Sequence, residues 1–468
     1  MIELTLSQVA ATVGAPLPGR AGAAVIDAVA TDSRAVPAGR PLFIALRTAQ
    51  GDGHAHAAEA VAAGAVAVLA ERPVAVEVPV LAVADTWAAL RALATEVRRQ
   101  VAPTTVAITG SVGKTTVKDL TVAAVGAGRA AHASRGSFNN ELGVPLTALG
   151  LERGTEVLIA EIGARHRGDI ADLAPIVAPD VAVVTSVAAV HLGIFGSIDD
   201  IAVAKAELVT SLGPEGLAVL HLADPRVAAM ARLAPRSLTV AIDRPDADVH
   251  AREVVLDRRA RARARAVTPW GEAQLEVPLA GRHQLVNALF ALAVAGHLEV
   301  DVAAAAAAIG DAAVSPWRSA VTEVAGVTVL DDAYNASPTA VRAALDTLQT
   351  IGGEGRRVAV LGWMAELGPT AAQEHARIGA RCAELGLDHL VVVRSAEDEE
   401  GEAGHLATGA RAAGLAAVTE VAGAEQAAAL LADLLAPGDA VLIKASRVAG
   451  LERVLAHLAA TVGAEVDA

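Results

Sequence analysis

The sequence predicts an α/β protein of several domains, two of them built on parallel sheets. Three observations carry this. The chain has 468 residues, and at roughly 100–200 residues per domain that allows two to four domains. Short, continuously apolar runs recur between helical stretches, as expected of parallel strands buried on both faces. One of these runs leads through a glycine-rich turn into a helix, the usual beginning of a phosphate-binding α/β unit.

Composition narrows the class. Apolar residues make up 53% of the chain but aromatic residues only 2%, so alanine carries much of the apolar count and close helix packing is expected. So few aromatic rings argue against a base-stacking surface for single-stranded nucleic acid. A net charge of −15 disfavours nucleic acid in general, whose binding rests on neutralised phosphates. Any phosphate ligand must therefore be held locally, by backbone amides, a few cations or a metal. The single cysteine, Cys382, excludes an intramolecular disulfide framework. Met1-Ile2-Glu3-Leu4 lacks the features of a signal peptide, and no uncharged apolar run approaches the ~18–20 residues of a membrane span. A cytoplasmic protein without membrane insertion is expected.

Three blocks follow along the chain, 1–101, 102–314 and 315–468. The first has short strands at Leu42–Leu46 and Ala65–Leu69. Its helix, from Asp85 to Arg99, carries Trp87, Leu90, Leu93, Ala94 and Val97 at helical spacing, and Ala102-Pro103 breaks the pattern. The second opens with the strand Thr105–Ile108, repeats the signal at Val157–Ala160 and Val181–Val184, turns hairpin-like over 249–279 and returns to helix over 284–310. Arg261, Arg263 and Arg265 alternate with alanine, which places all three on one face of a strand and reads as a charged edge. The third has apolar strands at Val327–Leu330, Val358–Leu361, Leu390–Val393 and Ala440–Ile443, a doubly wound pattern.

The chemistry concentrates after the strand Thr105–Ile108. In Thr109-Gly110-Ser111-Val112-Gly113-Lys114-Thr115-Thr116 the glycines free backbone amides to face an anion. The helix N-terminus adds partial positive charge. Lys114 is a point cation for the β- and γ-phosphates, and Thr115 offers a hydroxyl to Mg²⁺. The loop is shorter than the general G-x-x-x-x-G-K-[ST] form, since Ile108 stands where that pattern needs glycine. Glu161 and His191 both follow buried strands, at the end of a parallel sheet where ligands bind, and a carboxylate suits Mg²⁺. Taken singly, Glu161 could be a helix cap, His191 a turn histidine and Lys205 a solvated helix lysine.

The loop has the T-G-[ST]-x-G-K-T-T form of the Mur ligases and folylpolyglutamate synthases. Glu161-Ile162-Gly163-Ala164, His191-Leu192-Gly193-Ile194-Phe195-Gly196 and Ala204-Lys205-Ala206-Glu207 resemble further motifs of the Mur ligase family. The resemblance implies that Thr115, Glu161, His191 and Lys205 serve two Mg²⁺ ions, Lys205 as a carbamate. Ser137-Phe138-Asn139-Asn140-Glu141-Leu142-Gly143-Val144-Pro145 and Asp331-Asp332-Ala333-Tyr334-Asn335-Ala336 resemble the branch that adds D-alanyl-D-alanine. Sister ligases for the earlier amino acids usually carry Asp-Asp-Tyr-Ala-His at the second position. Gly281-Arg282-His283-Gln284-x-x-Asn287 resembles the adenine-side motif, with Gln284 for asparagine, and Pro316-Trp317-Arg318 resembles Pro-Gly-Arg. Gly362-Trp363-Met364-Ala365-Glu366-Leu367-Gly368 and Lys444-Ala445-Ser446-Arg447 match with Trp363 for aspartate and Ala445 for glycine. Gly193 stands where glutamate is frequent. Thr31-Asp32-Ser33-Arg34 and Asp52-Gly53-His54 are similar to the family's UDP-sugar segment.

The resemblance implies three domains: a small α/β UDP-binding domain, a central P-loop parallel-sheet ATPase and a C-terminal Rossmann-like α/β domain. It implies ATP as substrate, held by Gly110, Ser111, Val112, Gly113, Lys114, Thr115, Thr116, Asn287, Arg318, Asp332, Tyr334 and Asn335. Lys114, Glu161, His191, Lys205 and Arg318 are the implied catalytic set. Asp32, Ser33, Arg34, Asn139, Asn140, Lys444, Ser446 and Arg447 are the implied contacts to UDP-N-acetylmuramoyl-tripeptide and D-alanyl-D-alanine. A monomer is expected. A switch or motor ATPase would share the loop but has no use for Asn139-Asn140 or Tyr334-Asn335. A nucleotide-binding relative without activity finds support only in Gly193, Trp317 and Trp363.

Overall fold

The computed structural model describes residues 1–16, 19–49, 51–190 and 192–463. Three sheets organise the chain into N-terminal, central and C-terminal domains. The first is wholly parallel, in the order Ala28–Ala30, Pro41–Ile44, Ala67–Ala70, Val80–Ala82. The helix Thr86–Val101 follows. Asp85 caps it, its carboxylate accepting from Trp87 N and Ala88 N at 2.8 and 3.0 Å, which satisfies two of the amides a helix start leaves open. Ala102, at φ 51°, ends it, and Pro103 cannot extend it. Leu90, Leu93, Ala94 and Val97 on this helix share one apolar core with Leu158, Ile170 and Leu173 of the central domain, so the first two domains are packed together.

The central sheet runs Ala131–Ala133, Val157–Glu161, Thr104–Thr109, Val181–Val184, Leu217–His221, Arg236–Ala241, Val249–Leu256, Arg261–Thr268, Gly271–Ala280. Its pairings are parallel up to Val249–Leu256 and antiparallel in the last two. The next two strands in the chain fall on one side of Thr104–Thr109 and those from Val181 onward on the other. The strand order therefore reverses at Thr104–Thr109, and the crevice beyond its carboxyl end is where such sheets bind ligands.

The strand Arg261–Thr268 is not the sheet edge its charges imply. It pairs on both sides, and Gly271–Ala280 is the outer strand. Its arginines still share one face, because Ala262, Ala264 and Ala266 are buried in the core. They pair across the ladder, Arg263 with Glu276 at 3.3 Å and Arg265 with Glu272 at 3.4 Å. Cross-strand ion pairs, not exposure of an edge, account for the alternation. The helical stretch after it is two helices, Gln284–His297 and Val302–Gly310, the second capped by Asp301 accepting from Ala304 N at 2.8 Å.

The C-terminal sheet has the order Ala320–Val324, Val327–Asp331, Ala440–Lys444, Arg357–Leu361, His389–Arg394, Val418–Ala422, with only the first pair antiparallel. Cys382 lies under it, fully buried, and burial pushes its thiol up to about 12. Since the thiolate is the reactive form, the native protein should leave a thiol reagent such as Ellman's untouched and release one equivalent once denatured. Rapid labelling of the native chain would contradict this burial. No helix among the described residues is long and apolar enough to cross a membrane.

Candidate active site

The phosphate loop needs its glycines. Gly110 has φ 145°, and a Cβ there would lie 2.0 Å from Thr185 Oγ1. Gly113 has φ 87°, and a Cβ would lie 2.8 Å from Asn287 Oδ1. Both values are in the left-handed half of the map that side chains disfavour. The segment after the strand Val181–Val184 braces the loop. Ser111 N donates to Ser186 O at 2.9 Å, Val112 N to Ser186 Oγ at 3.1 Å, and Thr185 Oγ1 to Val112 O at 2.6 Å. Ser111 Oγ donates to Ala188 O at 3.1 Å. The helix Lys114–Gly126 then starts with no side-chain cap, which leaves its first amides for an anion.

Lys114 folds back over this loop, its ammonium donating to Gly110 O at 3.0 Å and Ser111 O at 3.4 Å. Burial holds its pKa below the usual lysine range; nearby Glu161 opposes the shift and Arg318 adds to it. Glu161, the last residue of its strand, is only 1% exposed. Its two oxygens are both engaged: Oε2 accepts from Thr115 Oγ1 at 2.7 Å and Oε1 from Asn139 Nδ2 at 2.6 Å. A buried carboxylate, a threonine hydroxyl and an asparagine thus converge at the helix start. Asn140 is exposed, and its Oδ1 accepts from Gly143 N at 3.0 Å. Lys205, on the helix Ile198–Thr210, is buried rather than solvated. Burial first, and nearby Lys114 second, bring its pKa down to about 7, while Asp169 and Glu207 oppose the shift. Its ammonium stands 5.9 Å from the centre of the Phe195 ring. His191 lies outside the described residues.

The C-terminal domain adds a second group. The Arg318 guanidinium stacks 3.8 Å from the centre of the Tyr334 ring, and its buried Nε has no hydrogen-bond partner among the described residues. Tyr334 Oη meets Ser137 Oγ across the domains, 197 residues away in sequence. Arg447 covers Trp317 at 4.6 Å. Trp317 stands at φ 59°, a conformation suited to the glycine that the family resemblance expects there. Asn287 Nδ2 donates to Gln284 Oε1 at 2.7 Å, and Gln284 Nε2 to Ser319 Oγ at 3.0 Å, so Gln284 links the helix Gln284–His297 to the third domain. Asp332 Oδ1 accepts from Ser319 N at 2.9 Å.

Two residues expected at the substrate are buried and occupied. Lys444 is ion-paired with Asp332 and donates to Asn335 O at 2.9 Å. Ser446 Oγ accepts from Ala365 N at 2.8 Å. Arg447 remains exposed. Asp32 and Arg34 form a two-point pair at 2.9 and 2.7 Å, and Ser33 Oγ donates to Glu59 Oε2 at 3.2 Å, on the first domain. The departures from pattern have local reasons. Gly193 packs on Gly368, where a Cβ would approach Gly368 Cα to 3.1 Å, and Gly193 N donates to Glu366 O at 3.2 Å. Trp363 Nε1 donates to Glu402 Oε2 at 2.7 Å, and the Ala445 methyl is fully buried.

Among the described residues no three His, Cys, Asp or Glu side chains gather as a metal cage. The Thr115 hydroxyl beside the Glu161 carboxylate nevertheless fits Mg²⁺, which takes one or two oxygen ligands from the protein and the rest from phosphates and water. Sequence reasoning passed over Thr185, Ser186 and Lys118. Thr185 and Ser186 follow a buried strand at its carboxyl end, and Lys118 lies one turn beyond Lys114, so position alone could have marked them.

A phosphate loop at the switch point of a parallel sheet, faced by an arginine from another domain, defines a phosphate-loop α/β protein of multidomain type. Family models narrow the class: the Mur ligase family catalytic domain matches residues 25–107, the Mur ligase middle domain 108–295, and the Mur ligase glutamate ligase domain 317–447. The chain belongs to the Mur ligase family. It is 43% identical to the UDP-N-acetylmuramoyl-tripeptide–D-alanyl-D-alanine ligase of Mycobacterium tuberculosis over 98% of both chains. To the Escherichia coli ligase of the same name it is 32% identical, over 98% of this chain and 99% of the other. A crystal structure of MurF from Acinetobacter baumannii superposes with a TM-score of 0.87 at 31% identity, covering 98% and 99% of the two chains. MurF from Thermotoga maritima in complex with ADP gives 0.80 at 28% identity, covering 93% and 98%.

Proposed function

We propose that this protein uses ATP to join D-alanyl-D-alanine to UDP-N-acetylmuramoyl-tripeptide, releasing ADP and phosphate, in the synthesis of cell-wall peptidoglycan precursors. The observation that carries the reading is the contact of Ser137 with Tyr334. It joins, from the central domain to the C-terminal one, the two segments whose resemblance is to the D-alanyl-D-alanine-adding branch. The near full-length identity to ligases of that name supports the same assignment.

The tripeptide's terminal carboxylate attacks the γ-phosphorus of ATP, the bond to the bridging oxygen breaks, and ADP leaves. The resulting acyl phosphate is attacked at carbon by the dipeptide's neutral amine; the bond from carbon to the phosphate oxygen breaks, phosphate departs, and the nitrogen gives up a proton as the amide forms. Little covalent chemistry falls to the protein, which positions the reactants and offsets charge. The uncapped amides at the start of the helix Lys114–Gly126 and the Lys114 ammonium hold the phosphates. Arg318, stacked on Tyr334, brings a fixed cation from the third domain. Asn287 faces the base and Asp332 the ribose. Thr115 and Glu161, with His191 and a carbamylated Lys205, would hold Mg²⁺, whose bound charge neutralises the phosphates. Asn139 orients Glu161. Residues 1–101 bind the UDP-sugar through Asp32, Ser33 and Arg34, 102–314 the nucleotide, and 315–468 the incoming dipeptide with Arg447. The protein works in the cytoplasm as a monomer.

Phosphate release from ATP tests this. It should require UDP-muramoyl-tripeptide and D-alanyl-D-alanine together. Turnover with UDP-muramoyl-dipeptide and diaminopimelate or lysine instead would reassign the chain to a sister activity, and no release with either pair would remove the reading.

A further inference from the structure

Lys118 lies one turn beyond Lys114 on the same helix and is 3% exposed. Its ammonium has three acceptors: Ser134 O at 2.9 Å, Gly136 O at 2.7 Å and Asp119 Oδ1 at 2.8 Å. Asp119, also mostly buried, uses its other oxygen to accept from Ser315 N at 2.8 Å, 196 residues away. Desolvating a charge pair is costly, and hydrophobic replacements often serve stability as well or better. A buried pair whose bonds run to two distant loops therefore invites a role beyond stability. The loops are telling. Ser134–Gly136 leads directly into Ser137, which meets Tyr334, and Asn139, which holds Glu161. Ser134 itself accepts from Glu161 N at 3.2 Å. Ser315 leads directly into Pro316, Trp317 and Arg318.

We propose that Lys118 and Asp119 are positioning residues: the phosphate-loop helix uses them to hold the Ser137–Asn139 loop and the strand of chain bearing Arg318 in register with the nucleotide. This rests on the ligase reading above. The polar atoms of both side chains are committed to protein groups, Ser134 O, Gly136 O, Ser315 N and each other. Their work is to link three separately folded segments, so that the phosphate loop, the carboxylate at Glu161 and the cation at Arg318 keep one geometry.

Lys118→Met and Lys118→Arg in the full-length enzyme separate this from a purely structural pair. Kinetics are read with ATP, UDP-muramoyl-tripeptide and D-alanyl-D-alanine, beside binding of a fluorescent ATP analogue, melting temperature and hydrogen exchange. Lys118→Met should lower kcat about 30-fold and raise the tripeptide KM several-fold. Analogue affinity should stay within about twofold, and exchange over 134–142 should quicken. Lys118→Arg should recover much of the loss. The proposal fails if Lys118→Met keeps kcat and every KM within twofold, or if analogue affinity falls in parallel with kcat. Should Lys118→Met not fold, Asp119→Asn keeps an acceptor for Ser315 N while removing the counter-charge; it should cost kcat about tenfold at unchanged analogue affinity, and unchanged kinetics would overturn the proposal. An inactive wild-type enzyme would instead condemn the ligase reading itself.

Discussion

Lys114→Met should reduce kcat/KM for ligation by a factor on the order of 10²–10³ or more, the scale of removing one preorganised electrostatic group from a transferring phosphoryl group. Methionine keeps the length and the aliphatic body of the side chain and removes the charge. Among the described residues, the ammonium donates to carbonyls of its own loop, Gly110 and Ser111. These are bonds a triphosphate would replace with stronger, charge-assisted ones. Burial already disfavours the charge, so the variant should melt no lower than wild type. Loss of turnover with an intact melting transition, read by phosphate release and calorimetry, is the expected pair of results. A variant that retains turnover within tenfold would show that the loop amides and Arg318 carry the phosphate alone.

The sequence made legible what is local. Continuous apolar strands such as Thr104–Thr109 and Val181–Val184 announce a parallel sheet because both their faces are buried. Gly110 and Gly113 mark the loop because only glycine fits their φ and their contacts with Thr185 and Asn287. Lys205 shows how far such reading extends. It looks like a solvated lysine, yet Ile201, Ala204, Leu208 and Val209 are buried beside it, and spacings of three and four place it on their stripe. The strand Val418–Ala422 is harder to see, since it lies at the edge of the sheet and is part-exposed along its length. Arg261–Thr268 misleads for a different reason: its charges are satisfied by strands on both sides, and nothing local tells a charged edge from a charged ladder. Least legible are the contacts between domains. The meeting of Ser137 with Tyr334, the closeness of Gly193 to Gly368 and the bond from Ser315 to Asp119 depend on how folded units pack, and no periodicity encodes them.

Lys205→Ala should be as severe as loss of Lys114, and its pattern of rescue is more informative. A lysine on the apolar face of a helix, whose burial first and the Lys114 ammonium second bring its pKa down to about 7, is costly as a cation. At neutral pH much of it is the free amine, the form that adds carbon dioxide. In the proposed modification the nitrogen would bond to carbon, a proton would leave, and a cation would become a carboxylate-like anion. In the proposed carbamate, repulsion from Lys114 would turn into attraction, and the anion would supply an oxygen donor to a bound cation. Alanine removes the donor, so turnover should fall on the order of 10²–10³-fold, and added formate or acetate should restore part of it by filling the space with a free carboxylate. Arginine keeps the charge permanently and forms no such adduct, so Lys205→Arg should be as inactive as alanine and deaf to rescue. An active Lys205→Arg enzyme would mean that position 205 serves as a cation after all, and the carboxylate beside the phosphates would then have to come from Glu161 alone.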